Sequence, residues 1–175
     1  MSYQPQVSDI LVNKLRSDVD GLVLKMACIV DRKASGTTGG AAAIGAWTTR
    51  TLNTIDYDPH GLIRGLSSNT FTLKPGKYSV RVVTTFQDTQ YTMLRMYNVT
   101  KSLVAATSMT GHFDSQDHGN LEIHAHFDLV EDIAFRLEYH ASHNGTDSLG
   151  RSANIADTPE LYTVVEITRL DKVKP

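Results

Sequence analysis

Histidine is the residue type whose number stands out, with seven in 175 residues. His124 and His126 lie two apart in LEIHAHFDL. In an extended strand that spacing puts them on one face, together with Glu122 and Asp128. Two imidazoles so placed can approach one metal ion, and carboxylates can complete or orient the shell. Around a threefold axis one histidine per chain would suffice for a ring. The same side chains equally make an ordinary polar strand face, solvated or in a subunit interface, and that plainer reading takes precedence. No metal or cofactor is assigned. Polar groups also gather in three connections. Asp56, Asp58 and His60 lie in 53–68. His112, Asp114, Asp117 and His118 lie in 110–120. His143, Asn144 and Asp147 lie in 141–158. Loops carried by a rigid scaffold are the usual place for binding, and side chains of this kind hydrogen-bond water or a glycan.

No arrangement for nucleophilic catalysis stands out. There is no G-x-S-x-G elbow, and the one cysteine, Cys28, sits in the apolar run Met26 to Val30. Glu122 and Asp128 on one strand face do not by themselves make a glycosidase pair. The stretch ASGTTGGAAAIG (34–45) has no lysine after its glycines, so it reads as a small, flexible loop and not a phosphate cradle. The expectation is that the protein is not an enzyme. A formal net charge of −2 gives no electrostatic case for nucleic acid. No signal peptide is visible and no apolar run is long enough to span a bilayer, so neither secretion nor membrane insertion is expected, and the sequons at Asn98 and Asn144 should stay unglycosylated.

These groups must be positioned by strands. Lys77 to Gln87 and Tyr91 to Asn98 alternate with period two around the break Asp88-Thr89-Gln90, which predicts an antiparallel hairpin. Further strands are expected at 25–31, 47–52, 71–73, 103–107, 121–129, 133–139 and 161–170, roughly eight to ten in all. With 41% hydrophobic and 21% charged residues the composition is that of a globular domain. The fold class predicted is all-β, a jelly-roll sandwich over 25–175 with first and last strands paired in one sheet. Its interior is expected to include Phe71, Leu73, Tyr78, Val80, Val82, Leu94, Phe127, Phe135, Leu137 and Val164. Residues 1–24 instead show helical spacing at Val7, Ile10, Leu11, Leu15, Val19 and Leu22, and read as a separate helical or extended attachment segment.

The order GAWTTRTLNTI, SSNTFTLKPGKYSVRVV, LRMYNVT and ELYTVVEITRL resembles the jelly-roll heads of bacteriophage and prophage tail-fibre and head-fibre proteins. These share their architecture with the trimeric complement-globular-head and tumour-necrosis-factor-like domains. The resemblance covers about residues 26 to 170. It implies a homotrimer on a virion, made in the host cytoplasm, joined to other virion proteins through the N-terminal segment. Its loops would contact a host surface glycan or protein. The short N-terminus favours a short fibre, decoration or collar component. A dedicated tail receptor-binding protein is the alternative, and a glycan depolymerase a weaker one. A strand face carrying Met93, Tyr97 or Tyr139 is the expected subunit interface.

Overall fold

The computed structural model describes residues 11–14, 24–115 and 117–170. Its strands in chain order are β1 (Lys25–Lys33), β2 (Thr48–Thr49), β3 (Thr54–Tyr57), β4 (Ile63–Ser67), β5 (Thr70–Leu73), β6 (Gly76–Gln87), β7 (Gln90–Asn98), β8 (Leu103–Thr107), β9 (Gly111–Phe113), β10 (His118–Leu129), β11 (Ile133–Ala141) and β12 (Glu160–Arg169). They form two antiparallel sheets. The first has the order β10-β6-β12-β1-β3; the second runs β4-β5-β11-β7-β8, with β2 paired to β11 and β9 to β7. This is a jelly-roll sandwich, with β1 and β12 paired as expected.

Alternation decides which side chains meet between the sheets. Along β10 the residues Leu121, Ile123 and Ala125 point inward and are buried, while Glu122, His124 and His126 are exposed. Phe71, Leu73, Tyr78, Val80, Val82, Leu94, Phe135 and Leu137 are all in the core, with Phe127 packed against it. Rings join the layers: Phe127 of β10 lies 5.0 Å from Phe135 of β11, and Phe86 of β6 lies 6.0 Å from Tyr139 of β11. Burying side chains of this size contributes on the order of 1.5–3 kcal/mol each before ordering costs.

The structure differs from the sequence expectations at several points. The expected hairpin is absent. β6 pairs with β10 and β12, whereas β7 pairs with β11, β8 and β9. Asp88 (φ 47°) and Gln90 (φ 49°) hold left-handed backbone angles that turn the chain from one sheet to the other. Each strand then buries one face against the opposite layer. Val164 is half-buried on the outer face of β12; Val165 and Ile167 are the inward residues. Tyr139 is a core residue, 2% exposed, and not part of an outer face. The connection 53–68 contains β3 and β4, and 110–120 contains β9 and the start of β10, so His112 and His118 lie on strands. The Gly/Ala-rich stretch is pinned along its length. The Gly39 amide donates to the Gly150 carbonyl at 2.7 Å, the Ala42 amide to Ser148 Oγ at 2.6 Å and the Ala43 amide to Tyr139 Oη at 3.0 Å.

Candidate functional site

Register places the predicted polar residues at two opposite ends of the sandwich. β6 and β10 pair from Gly76↔Leu129 at one end to Gln87↔His118 at the other, a separation of roughly 35 Å at ordinary strand rise. Asp58 and His60 belong to the first end. There Asp58 carries a structural load, its carboxylate accepting the amides of Leu62 at 2.8 Å and Ile63 at 2.9 Å. Asp56 pairs with Arg32 on the neighbouring strand. At the other end the links 88–89, 114–115 and 142–159 converge, with Asp117. The Asp88 amide donates to the Asp117 carbonyl at 3.2 Å, and the Gly145 amide to the Asp88 carbonyl at 3.0 Å. His143 Nε2 stands 3.6 Å from Asp88 Oδ1, and His112 Nε2 3.7 Å from Asp114 Oδ1. The His112 ring meets Tyr91 edge-on at 4.7 Å. Asn144 is exposed, and the Asp147 carbonyl accepts the Gly150 amide at 2.8 Å.

This second end holds a cleft of about 650 Å³ on the outer face of the five-stranded sheet. Two register rows make its floor. One holds the pair His118–Gln87 and the other Glu160, which pairs with Lys33, with Thr85 and Tyr162 lining between them. Residues 150–153 form the opposite wall. Gly150 makes that wall possible. Its φ is +130°, and a Cβ there would lie 2.1 Å from the Tyr162 ring. Glu160 fixes the wall. Its carboxylate accepts the amides of Asn154 at 2.9 Å, Ala153 at 3.1 Å and Gly36 at 3.1 Å, and these bonds hold it below its ordinary pKa. The Tyr162 hydroxyl donates to the Thr37 carbonyl at 2.8 Å, and burial pushes its pKa up to about 12. Beneath lies Arg50, 1% exposed, which sequence reasoning did not single out as a site residue. Its guanidinium donates to Thr163 Oγ1 at 3.0 Å and to the Leu149 carbonyl at 2.6 Å. Burial lowers its pKa to about 10, so it remains a cation at neutral pH. Gln87, Glu160, Arg151 and Ser152 also went unflagged. They become neighbours only through sheet register and loop folding.

Below the cleft, the same outer face carries three further rows. Glu122–Val83–Val164–Val30 comes first, then His124–Arg81–Glu166–Cys28–Tyr57, then His126–Ser79–Thr168–Met26. Met26 is 45% exposed and Tyr57 54%. His124 and His126 do share a face with Glu122 and Asp128. Glu122, however, is held by Arg81 at 3.1 Å and by His124 at 3.2 Å, and His124 first, then Arg81, keep its carboxyl below the ordinary range. Among the described residues no group of three or more His, Cys, Asp or Glu side chains could hold a metal ion. Arg81 also pairs with Glu166 at 3.2 Å, and Asp128 lies 3.4 Å from Lys77, so Glu122 and Asp128 each have a cationic partner. Burial, then the nearby Asp56 and Glu166, push the Cys28 thiol up, away from a reactive thiolate.

The outer face of the seven-stranded sheet is built differently. Arg95 stacks over Trp47 at 4.1 Å and Tyr97 at 5.2 Å, and Arg136 stacks over Tyr97 at 5.0 Å. Glu138, 3% exposed, accepts from Arg95 at 2.6 Å and from Arg136 at 2.5 Å. Tyr97 is thus covered by two guanidinium groups of its own chain.

Of the expected attachment residues, Leu11 lies in a helical turn over 11–14 and is 55% exposed. Val7, Ile10, Leu15, Val19 and Leu22 lie outside the described residues. No helix among the described residues is long and apolar enough to cross a membrane.

No family model and no curated protein matches the chain. Solved structures do. The globular domain of zebrafish complement 1qA superimposes with a TM-score of 0.55 at 13% identity, covering 85% of this chain and 98% of that one. The Eiger TNF of S. frugiperda gives 0.58 at 11% identity, with 87% and 96% covered. Murine APRIL gives 0.54 at 10% identity, with 84% and 99% covered. The likeness is one of fold. The chain has the jelly-roll architecture of complement-1q and tumour-necrosis-factor heads.

Proposed function

We propose that this chain is a recognition and structural module that works as a homotrimer, each copy laying the three rows of its five-stranded sheet's outer face below the cleft against its neighbours and leaving the cleft open at the end. The observation that carries this is the contrast just described. At the centre of the seven-stranded sheet the chain's own arginines cover Trp47 and Tyr97, and exposed apolar groups, Tyr91, Leu103 and Val104, remain only toward its end and its β8 edge. The five-stranded sheet leaves Met26 and Tyr57 exposed beside half-buried Val83, Val164 and Cys28. Such a row of apolar side chains down a sheet face is the kind of surface a symmetric interface covers. The polar end, with Tyr91, His112, His118, His143 and Asn144, is then displayed by three copies at once, and weak single contacts gain by multivalency.

The setting we propose is a bacteriophage virion, with the head a short fibre, decoration or collar component contacting a bacterial surface glycan or protein. Its support is the set of sequence motifs around Trp47, Arg50, Phe71, Pro75-Gly76, Arg95, Tyr97-Asn98 and Tyr162. The distinction of an attachment segment over 1–24 rests on the change of apolar period near Lys25. Incubating host cells with the purified protein tests the recognition half. Reduced adsorption of particles is the expected result; unchanged adsorption at saturating protein leaves a structural component only. Deleting residues 1–22 is expected to leave a soluble trimer whose thermal midpoint moves by no more than a few degrees but which no longer joins particles. An insoluble product places the segment in the domain core.

A further inference from the structure

We infer that the cleft between the floor row His118–Gln87 and the wall 150–153 binds an anionic sugar unit, a polyol ring bearing a carboxylate or a phosphate. This deepens the recognition half of the proposed function by naming a site and a ligand class within a single chain. The volume, about 650 Å³, is in the range of small-ligand pockets. Its lining is mostly polar side chains around the buried Tyr162, 4% exposed.

The charge follows from which groups are already committed. Glu160 is the one carboxylate lining the cleft, and three backbone amides occupy it. The Tyr162 hydroxyl is spent on Thr37. The side chains of Gln87, Ser115, His118, Arg151 and Ser152 also line the cleft and hydrogen-bond no other described residue. That set is rich in donors and contains a cation, Arg151, with no ion-pair partner among the described residues. Beneath the floor, the cationic Arg50 forms no salt bridge with a described residue, and one of its guanidinium nitrogens, Nη1, has no partner. Arg50 and Lys33 both lie near the carboxylate of Asp31. Asp114, Asp117 and Asp147 stand near but outside the lining. A carboxylate or phosphate supplies an uncommitted anion, which the cleft lacks, and charge-assisted bonds to Arg151 favour it over a neutral sugar. The wall is fixed in place by Glu160 and by Gly150, so little ordering is required on binding.

The test is an NMR titration of the isotope-labelled full chain with glucuronate, glucose 6-phosphate and glucose. At least one acidic sugar is expected to give saturable shifts at the amides of 150–153 and 118, with affinity about tenfold or more above glucose, and Arg151→Ala is expected to lose that preference. Arg151 is exposed, so this variant should keep the fold; Arg151→Lys should retain part of the preference. A response to glucuronate alone names a carboxylate sugar as the source, and a response to glucose 6-phosphate alone a phosphorylated one. Absence of saturable shifts with both acids overturns the inference, as does glucose binding equally well or an unaltered preference in Arg151→Ala. A monomeric chain that still prefers the acid keeps this inference and discards the trimer. A trimer indifferent to both acids discards this inference alone.

Discussion

The two outer faces of the sandwich are made from similar residue types and end in different states. On the seven-stranded sheet, Trp47, Tyr97 and two arginines stack around a carboxylate that is 3% exposed. That patch is finished by its own chain, while Tyr91 and the β8 edge stay open. On the five-stranded sheet, Arg81 is shared between Glu122 and Glu166, all three substantially exposed; its row also holds Cys28 and Tyr57, and the rows beside it hold valines and Met26. Ion pairs that exposed add little, so this face depends on what covers it. The difference teaches that amphipathic alternation alone does not mark an interface. What marks it is whether the outward aromatic and aliphatic groups already have partners.

The largest expected effect on stability is at the finished face. Glu138→Ala leaves Arg95 and Arg136 without their shared acceptor and should cost about 3 kcal/mol, lowering the thermal midpoint on the order of 10 °C without changing the mass in solution. A midpoint within about 2 °C of wild type would mean that the ladder is surface decoration. Trp47→Ala removes the ring under Arg95 and should cost about 1–2 kcal/mol, again with assembly intact; chemical denaturation reads both.

How much of this was legible in the sequence depends on what each feature rests on. β10 was readable because Leu121, Ile123, Ala125 and Phe127 alternate strictly with charged and histidine residues. β12 was readable as a strand but not in phase, since Val164 and Val165 offer an apolar side chain to either face, and only packing against β1 and β6 selects Val165. The hairpin expectation at 88–90 failed because two half-buried strands joined by a tight link look alike whether they pair or face each other across a core. β9 is three residues long and too short to show a period. The histidine and aspartate richness of 110–120 and 141–158 did mark segments that meet at one end. The placing of 53–68 at the opposite end, and the recruitment of Gln87, Arg151 and Glu160 to the cleft, follow from register, which no local pattern encodes.

A smaller effect concerns acid. The folded Glu160 carboxyl is held below the ordinary glutamate value of about 4.5. Its contribution to stability is therefore present above that value and lost as pH falls through the lowered folded pKa. Asp31 works in the opposite sense, because burial raises its pKa and its penalty is relieved on acidification. Glu160→Gln should flatten the acid limb of a midpoint-versus-pH curve, and an unchanged limb would show that the cleft wall is held by other bonds. The smallest effect is expected at the open face itself. Replacing His124 and His126 together by alanine should shift stability by no more than about 0.5 kcal/mol, whereas a larger loss would reveal a role for the histidine row that the single chain does not display.

The central claim is that the five-stranded sheet's outer face, below the cleft, is covered by copies of the same chain. Light scattering on the purified protein across micromolar dilution tests it most directly, with Val164→Glu run alongside. The account predicts a mass three times the 19.3 kDa of one chain for the natural sequence. For the variant it predicts a single-chain mass with an unchanged β-type far-UV spectrum. A natural protein that runs as 19.3 kDa throughout, or a variant that remains trimeric, contradicts it.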